Sequence, residues 1–299
     1  MIARLRDFAG SAGLHLTLTA LFWAGNTVAG RLAVGEVSPY TLVFLRWIMV
    51  IGVLWPIYGS EVRAKWGEIR PRLGRLVLMG ALGFTGFNAL YYYAAYHTTA
   101  INMGLLQGAV PAFVLIGAFL AHGVRPSLLQ VVGVTVTALG VAVIATQGEP
   151  LKLFEMAFNR GDVALIVACV FYSFYTIALK DRPQMSGVAF FTFMALVSVI
   201  TSIPLLVYEG MTTGLAWPTL KGWAIIVWVA IFPSCLAQLF YMSGVDKIGP
   251  GRAGVFVNLV PVFSAILAVW LIDEPFATFH AVALALVIGG IVLAQRTGR

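Results

Sequence analysis

Polar side chains inside long apolar runs are the residues of this sequence best placed to bind a small molecule. They are the amides Asn26, Asn88, Asn102, Gln107, Gln238 and Asn258. Each amide can donate and accept hydrogen bonds, and its burial in hydrocarbon is costly unless a partner compensates it. A ligand is one such partner. The alternative is contact between neighbouring helices, worth about 0.6 kcal/mol on average, and we favour that role for Asn102.

Aromatic residues accompany these amides and could stack on a bound molecule or fill space around it. Trp23 and Tyr172 are the strongest pocket candidates because they lie mid-run at matching positions. Tyr91, Tyr92 and Tyr93 cannot all face one cavity, since successive helix positions are about 100° apart. Tyr93, near a run end, is typical of an interfacial belt. The aromatic residues expected at the site are Trp23, Tyr91, Tyr92, Phe171, Tyr172, Tyr175 and Tyr241.

One cation and two prolines complete the candidate set. Arg46 is the single Lys or Arg well inside an apolar run. It could bind a carboxylate, or it could extend outward and bind backbone carbonyls. Pro111 and Pro261 each remove a helical hydrogen bond near the middle of a run. A fixed kink is one consequence, but we favour a functional role, which is either a hinge or a freed carbonyl that faces the cavity.

The elements that carry these residues follow from composition. The 299 residues are 60% apolar and 10% charged, whereas a soluble domain has about 25% charged residues. A soluble multi-domain enzyme, a disordered chain and a disulfide scaffold are therefore excluded. A bilayer core requires about 20 mostly apolar residues per helix, so we predict an all-α membrane protein with ten transmembrane helices. The ten runs are 12–34, 39–58, 74–95, 98–121, 127–147, 161–180, 187–208, 220–243, 250–272 and 277–295.

The basic residues predict an orientation. Of the 19 Lys and Arg residues, 14 flank the runs on the side of the N-terminus and four flank them on the other side. Because cytoplasmic loops carry the excess of basic residues, we expect a protein of the bacterial inner membrane with both termini on the cytoplasmic side. The basic balance then reports topology, and no nucleic-acid partner is expected. The first run is long for a signal peptide, so we expect it to be retained.

The two halves of the chain correspond to each other. A shift of 150 residues places Pro111 on Pro261 and Tyr91 on Tyr241, which indicates a duplication. Five spans per half make the second half enter the membrane from the opposite side, giving inverted repeats. That architecture is typical of secondary transporters, whose substrate site lies between the repeats. The predicted units are the repeats 1–148 and 161–299 and the connecting loop 149–160.

The ten-span plan, the stretch Phe22 to Asn26, Arg46 and the two prolines resemble the EamA-like branch of the drug/metabolite transporter superfamily. The resemblance implies efflux of a small metabolite, with spans 1 to 4 and 6 to 9 around the cavity and spans 5 and 10 to the side. The aromatic content is similar to that of bacterial exporters of aromatic and other neutral amino acids. One departure is that Leu196 occupies the shifted position of Arg46, which puts a paired-arginine mechanism in doubt.

We therefore predict a monomeric carrier of a small molecule in the lipid bilayer, with no cofactor and no metal. A broader exporter of drugs or nucleosides is the alternative. A membrane-embedded enzyme is disfavoured because no H-E-x-x-H, no G-x-S-x-G and no acidic pair lies within the spans. All 12 acidic residues fall in loops or at span ends. This placement favours uncoupled movement down the substrate's own gradient.

Overall fold

The computed structural model describes residues 12–123, 125–149, 159–214 and 217–295, and the regular structure in these ranges is entirely helical. The all-α prediction is confirmed. Several helices contain 3₁₀ or π segments and are numbered as continuous stretches. They are α1 (Ala12–Leu32), α2 (Pro39–Ala64), α3 (Trp66–Ala95), α4 (Ala100–His122), α5 (Leu128–Ala145), α6 (Arg160–Asp181), α7 (Gly187–Thr212), α8 (Leu220–Ile248), α9 (Pro250–Val257 and Leu259–Ile272) and α10 (Thr278–Gln295).

Eight of these helices, α2 to α9, are long and apolar enough to cross a membrane. The helix α1 lies outside that set, and α10 contributes a shorter apolar stretch, Thr278–Ala294. The chain is therefore a multi-pass membrane protein, and the number of ten spans stays a prediction. The α2 helix is longer than expected, since it continues six residues beyond position 58.

Hydroxyl side chains fix where several helices begin. Thr99 accepts a hydrogen bond from the backbone of Asn102 at the start of α4, and Thr219 accepts one from Gly222 at the start of α8. Ser127 forms a capping box with the residue three positions later. These caps satisfy amides that have no intrahelical partner, so the sequence itself sets the loop ends.

The helices connect two faces of the bundle. The near face is where α1 begins, and there His15 Nδ1 lies 3.1 Å from Ser243 Oγ near the end of α8. The far face is where α1 ends, and there the Arg31 guanidinium donates to the carbonyl of Ala95 at the end of α3. Successive helices run in opposite directions between these faces.

The pair α5 and α10 is held together by glycines. A Cβ on Gly133 would lie 2.5 Å from the Gly290 carbonyl, and one on Gly290 would lie 2.4 Å from Thr137 Oγ1. Such spacing requires residues without a side chain. The α10 helix also contacts the rest of the bundle, because a Cβ on Gly108 of α4 would lie 2.2 Å from Val287.

A buried glutamate of α7 caps the start of α2 at the far face. Glu209 is 4% exposed and accepts hydrogen bonds from Ser38 Oγ at 2.6 Å and Thr41 Oγ1 at 2.8 Å. The backbone amides of Tyr40 and Thr41 donate to it at 3.1 and 2.9 Å. A carboxylate at this place satisfies helix-start amides and interacts favourably with the helix dipole.

The reverse contact exists at the near face, where α2 ends and α7 begins. Glu61 accepts hydrogen bonds from the backbone N and the Oγ of Ser186, both at 2.8 Å. Ser186 follows Ser38 by 148 residues, and Glu209 follows Glu61 by the same 148. The two helices therefore cap each other at both ends through corresponding residues.

Replacing Glu209 with glutamine is expected to destabilise the protein. The glutamine amide would point a donor at groups that already donate, so charge-assisted hydrogen bonds worth about 1.5–3 kcal/mol each are lost. We expect the midpoint of thermal unfolding in detergent to fall by about 5–10 °C. Glu61→Gln is the matched control, because the corresponding contact there is exposed and should matter less. Equal shifts in the two variants would contradict this assignment.

Candidate functional site: a cavity between the two halves

The cavity lies in the interior of the bundle, between helices of both halves. Its volume is about 210 Å³, and its walls come from α1 to α4 and from α6 to α10. The α5 helix contributes no lining residue among those described, whereas α10 contributes Ile291. The resemblance placed spans 5 and 10 to the side. In the structure α10 forms part of the wall.

Two π-helical segments shape one side of this cavity. Ala81–Gly86 interrupts α3 and Ala230–Leu236 interrupts α8, and their first residues are 149 positions apart. A π segment inserts one residue per turn and re-aims the side chains beside it. In α8, Ser234 Oγ bonds the Val229 carbonyl five residues earlier at 2.6 Å. The segments present Gly83, Phe84, Pro233 and Ser234 to the cavity.

Arg46 lies at the centre of a network of neutral side chains. Its Nε donates to Ser234 Oγ at 2.7 Å, and its Nη1 donates to Asn88 Oδ1 at 2.6 Å and to Tyr92 Oη at 2.8 Å. Tyr92 in turn donates to Asn26 Oδ1 at 2.8 Å. The guanidinium carbon also lies 5.0 Å from the centroid of the Trp47 ring. The arginine points into the protein and does not extend toward a face.

Within the described residues, no carboxylate pairs with the Arg46 guanidinium. The side chain is 6% exposed and lines the cavity, and among the described residues none of the cavity-lining side chains is acidic. A guanidinium stays charged at any physiological pH. A buried cation with only neutral partners is electrostatically costly, so an anion entering this cavity would gain a strong partner.

Aromatic rings form much of the cavity wall. Phe87 and Tyr172 lie 5.2 Å apart between centroids, Tyr172 and Tyr175 5.7 Å apart, and Phe84 packs edge-on against Tyr175 at 4.9 Å. Trp23 Nε1 donates to the Pro233 carbonyl at 3.2 Å. Because this bond fixes the indole, its ring can serve as a rigid contact surface.

At the far face, hydrogen bonds connect the corner between α3 and α4 to the start of α6. Thr98 Oγ1 donates to Asp162 Oδ1 of α6 at 2.5 Å, and Asn159 Nδ2 donates to the His97 carbonyl at 2.6 Å. Asp162 is 3% exposed although it lies at a helix start. The corner of the first half is therefore attached to the start of the second half.

A second carboxylate holds the start of α4. Glu274, which follows α9, accepts hydrogen bonds from the backbone amides of Ala100 at 2.8 Å and Ile101 at 3.0 Å. Its carboxylate also lies 3.7 Å from Arg31 Nε. We call the contacts of Glu274 with Ala100, Ile101 and Arg31 the far-face clamp. Beneath it Met103 is fully buried, and the cavity-lining residues of α6 and α10 lie toward the near-face ends of these helices.

Comparison with known proteins decides the family. Residues 11–146 and residues 159–295 each match the EamA-like transporter family. The chain belongs to that family. The two matches together span almost the whole chain, and the resemblance inferred from the sequence is confirmed.

Members similar to this EamA-like transporter carry different names. The "Uncharacterized transporter YyaM" of Bacillus subtilis is 24% identical over 92% of this chain and 90% of its own. A "Probable terminal-alkyne amino-acid exporter" of Streptantibioticus cattleyicolor is 28% identical over 94% and 92%. A "Probable biotin transporter" of Pseudomonas aeruginosa is 24% identical over 93% and 94%. A crystal structure with a TM-score of 0.62 and 20% identity covers 95% of this chain and 96% of its own, and shares the fold.

The cavity of this EamA-like transporter includes most of the residues predicted for the site. Those in its wall are Trp23, Asn26, Arg46, Asn88, Gln107, Tyr172, Tyr175, Gln238 and Asn258, together with both prolines Pro111 and Pro261. Gln107 Nε2 also bonds the Met103 carbonyl of its own helix at 3.0 Å. The set is therefore a mixture of wall residues that already bond the protein and others whose role a ligand would decide.

Four predicted residues lie outside the wall. Tyr91 is 1% exposed and packs on Phe87, while Tyr92 supports Arg46 from behind. Tyr241 contacts the Trp23 ring at 5.5 Å. Phe171 packs beside α3, where a Cβ on Gly86 would lie 2.9 Å from its ring.

The structure also contributes wall residues that sequence reasoning missed, among them Trp47, Phe84, Phe191, Pro233 and Ser234. Trp47 follows Arg46 and could have been found from that position. Ser234 could not, because a serine in an apolar helix gives no hydropathy signal and only the π segment aims it inward.

The two prolines follow breaks in helix geometry. Pro111 lies two residues after the end of a 3₁₀ turn, Gln107–Ala109, and Pro261 lies three residues after Asn258, at which α9 is interrupted. Such breaks are where a helix can bend. The arrangement is compatible with the predicted hinges.

Proposed function

We propose that this transporter exports small carboxylate metabolites, with aromatic and other neutral amino acids as the first substrates, by alternating access. The observation that carries the proposal is the buried Arg46 guanidinium, which lines an aromatic cavity with neutral partners only. A substrate carboxylate would supply the anion that the protein lacks there. Carboxylate and guanidinium match in geometry and pair strongly when shielded from water.

The remaining walls favour a substrate with an apolar body. Rings at Trp23, Phe87 and Tyr172 can stack on an aromatic side chain or surround an aliphatic one. Amide side chains at Gln107 and Gln238 can accept hydrogen bonds from an ammonium group. The named amino-acid exporter among the relatives supports this class. The named biotin transporter supports the carboxylate, since biotin carries one without an ammonium group.

We further propose that ten spans form two inverted repeats, at 1–148 and 161–299, around this site. Three observations support the duplication: the family matches twice, the Ser-Glu caps of α2 and α7 recur 148 residues apart, and the π segments recur 149 residues apart. The opposite start faces of α1 and α6 support the inversion. The 148-residue spacing of these caps aligns Met194 of α7, a buried residue, with Arg46 of α2. The second half therefore has no arginine at the position that corresponds to Arg46.

The orientation proposed is that of an inner-membrane protein with the near face in the cytoplasm. Basic residues concentrate on that side. In this proposal the far-face bonds close the outer side, and the cavity, which lies toward the near face, is loaded from the cytoplasm, as an exporter requires. Transport is proposed to be uncoupled, because no described lining residue is acidic.

Counterflow in liposomes tests the substrate class. Liposomes containing the purified protein and preloaded with unlabelled phenylalanine are expected to accumulate labelled phenylalanine, tryptophan and methionine, and to accept biotin as a weaker competitor. Phenylalanine amide, a nucleoside and a cationic dye should compete poorly, because none of them carries a carboxylate that Arg46 could bind and because Arg46 repels a cation. Exchange of the dye or nucleoside without exchange of any amino acid would overturn the proposal. Sustained accumulation driven by a pH gradient alone would overturn the uncoupled mechanism.

A further inference from the structure

A second depression lies on the outside of the bundle, at the near-face ends of α2 and α7. It measures about 410 Å³ and is lined by Trp55, Val62, Arg63, Trp66, Phe193 and Leu196. It shares no described lining residue with the central cavity. We call it the α2–α7 groove. Leu196 therefore lines this groove and not the central cavity.

A local sequence feature forms the first wall. Gly59 follows Trp55 by one turn of α2, and a Cβ at Gly59 would lie 2.8 Å from the Trp55 ring. The missing side chain lets the indole lie along the helix. The Arg63 guanidinium carbon lies 5.9 Å from the centroid of that ring. A cation and an indole are thus presented together by one helix face.

The second wall is apolar and consists of two residues of α7, of which Leu196 is partly buried and Phe193 is 4% exposed. Phe193 and Leu196 lie six and nine residues into α7, which at 1.5 Å per residue is about 9 and 14 Å from its start. Trp66, at the beginning of α3, is 46% exposed. Tryptophan at a helix end is typical of the membrane interface, so the groove passes from headgroup depth into acyl-chain depth.

The charge around the groove is positive. The segment from Arg63 to Arg75 holds five basic residues and one acidic residue. Two of these basic residues form ion pairs. Lys65 Nζ lies 2.8 Å from Glu68 Oε1, and Arg75 Nη2 lies 2.5 Å from Asp181 Oδ2. Within the described part of the chain, Arg63 has no ion pair of its own, and neighbouring Glu61 is bonded to Ser186.

We propose that the α2–α7 groove binds one anionic phospholipid, with the phosphate on Arg63 and one acyl chain along Phe193 and Leu196. A basic residue at headgroup depth strengthens anionic lipid binding about fivefold, and the apolar wall selects a lipid over a soluble anion. The inference rests on the membrane location of the chain and not on its substrate.

Native mass spectrometry of the full chain in detergent tests this proposal. Titration with dioleoylphosphatidylglycerol is expected to give one retained lipid, bound about fivefold more tightly than dioleoylphosphatidylcholine. Arg63→Gln should abolish the difference between the two lipids, and Arg63→Lys should restore most of it. Arg72→Gln is the matched control, because Arg72 is an exposed cation of the same segment outside the groove.

The possible results separate clearly. Equal retention of the two lipids by the unaltered protein would overturn the proposal, and so would loss of the preference in Arg72→Gln alone. Displacement of the lipid by 10 mM inorganic phosphate would show a free-anion site and would also overturn it. Gly59→Ala, which displaces the Trp55 indole without changing charge, should lower retention of both lipids if the indole forms the wall.

Discussion

Phenylalanine transport is expected to fall about 100-fold when Arg46 is replaced by glutamine. The substitution removes the buried cation while leaving an amide that can still bond Ser234 or Asn88. Loss of one partner of a buried charge pair costs about 2–5 kcal/mol, and about 2.7 kcal/mol corresponds to 100-fold. Initial rates of counterflow at fixed substrate concentration measure the effect.

Two further measurements separate a substrate role from a structural role of Arg46. Arg46→Lys keeps the charge but cannot reach Ser234 and Asn88 together, so an intermediate rate is expected. The thermal midpoint of Arg46→Gln should not fall, since an uncompensated buried charge is removed. In Arg46→Gln, phenylalanine and phenylalanine amide should compete equally poorly, because the cation that distinguishes them is gone. Unchanged transport of phenylalanine by Arg46→Gln would refute the carboxylate role, and a large fall in stability with proportional loss of transport would assign Arg46 to the fold.

The fold was predictable from the sequence wherever hydropathy decides it. Long apolar runs require helices because an unpaired backbone is too costly in lipid, and the caps at Thr99, Ser127 and Thr219 follow from residue type. Helix ends were less predictable. The α3 helix begins at Trp66, eight residues before the predicted run, because the basic stretch there stays helical outside the apolar core.

The candidate site was predictable to the extent that a polar residue in an apolar run has few other roles. Arg46, Asn88 and Gln107 all reached the cavity wall. The directions in which the aromatic side chains point were not predictable, because they depend on the rotation of each helix and on local π segments. Tyr91 and Tyr92 thus lie behind the wall, and Phe84 and Ser234 lie in it. Neither the glycine-dependent contacts of α5 and α10 nor the clamp at Glu274 has a signal in hydropathy.

Weakening the far-face clamp is expected to open the cavity toward the far face. Glu274→Gln replaces charge-assisted bonds to the Ala100 and Ile101 amides with one neutral acceptor, a loss of about 1–2 kcal/mol. The sequence does not repeat the clamp residues in the other half, since the positions 150 residues away from Ala100 and Glu274 are Pro250 and Val124. Proline has no amide hydrogen and valine no carboxylate. A shift of about 1.4 kcal/mol in one direction changes the ratio of the two states tenfold.

Thiol labelling of the cavity from each side of the membrane measures this shift. The probe is Gln107→Cys in a background in which the buried Cys169 and Cys235 are replaced by alanine. With a membrane-impermeant maleimide, Glu274→Gln should raise the labelling rate in intact cells about tenfold and lower it in inverted vesicles. Glu36→Gln is the control, since it removes an exposed far-face pair with Lys221 and should change neither rate. A higher labelling rate of Glu274→Gln in inverted vesicles would reverse the assignment of the clamp. Identical labelling rates with and without Glu274 would mean that the clamp only stabilises the start of α4.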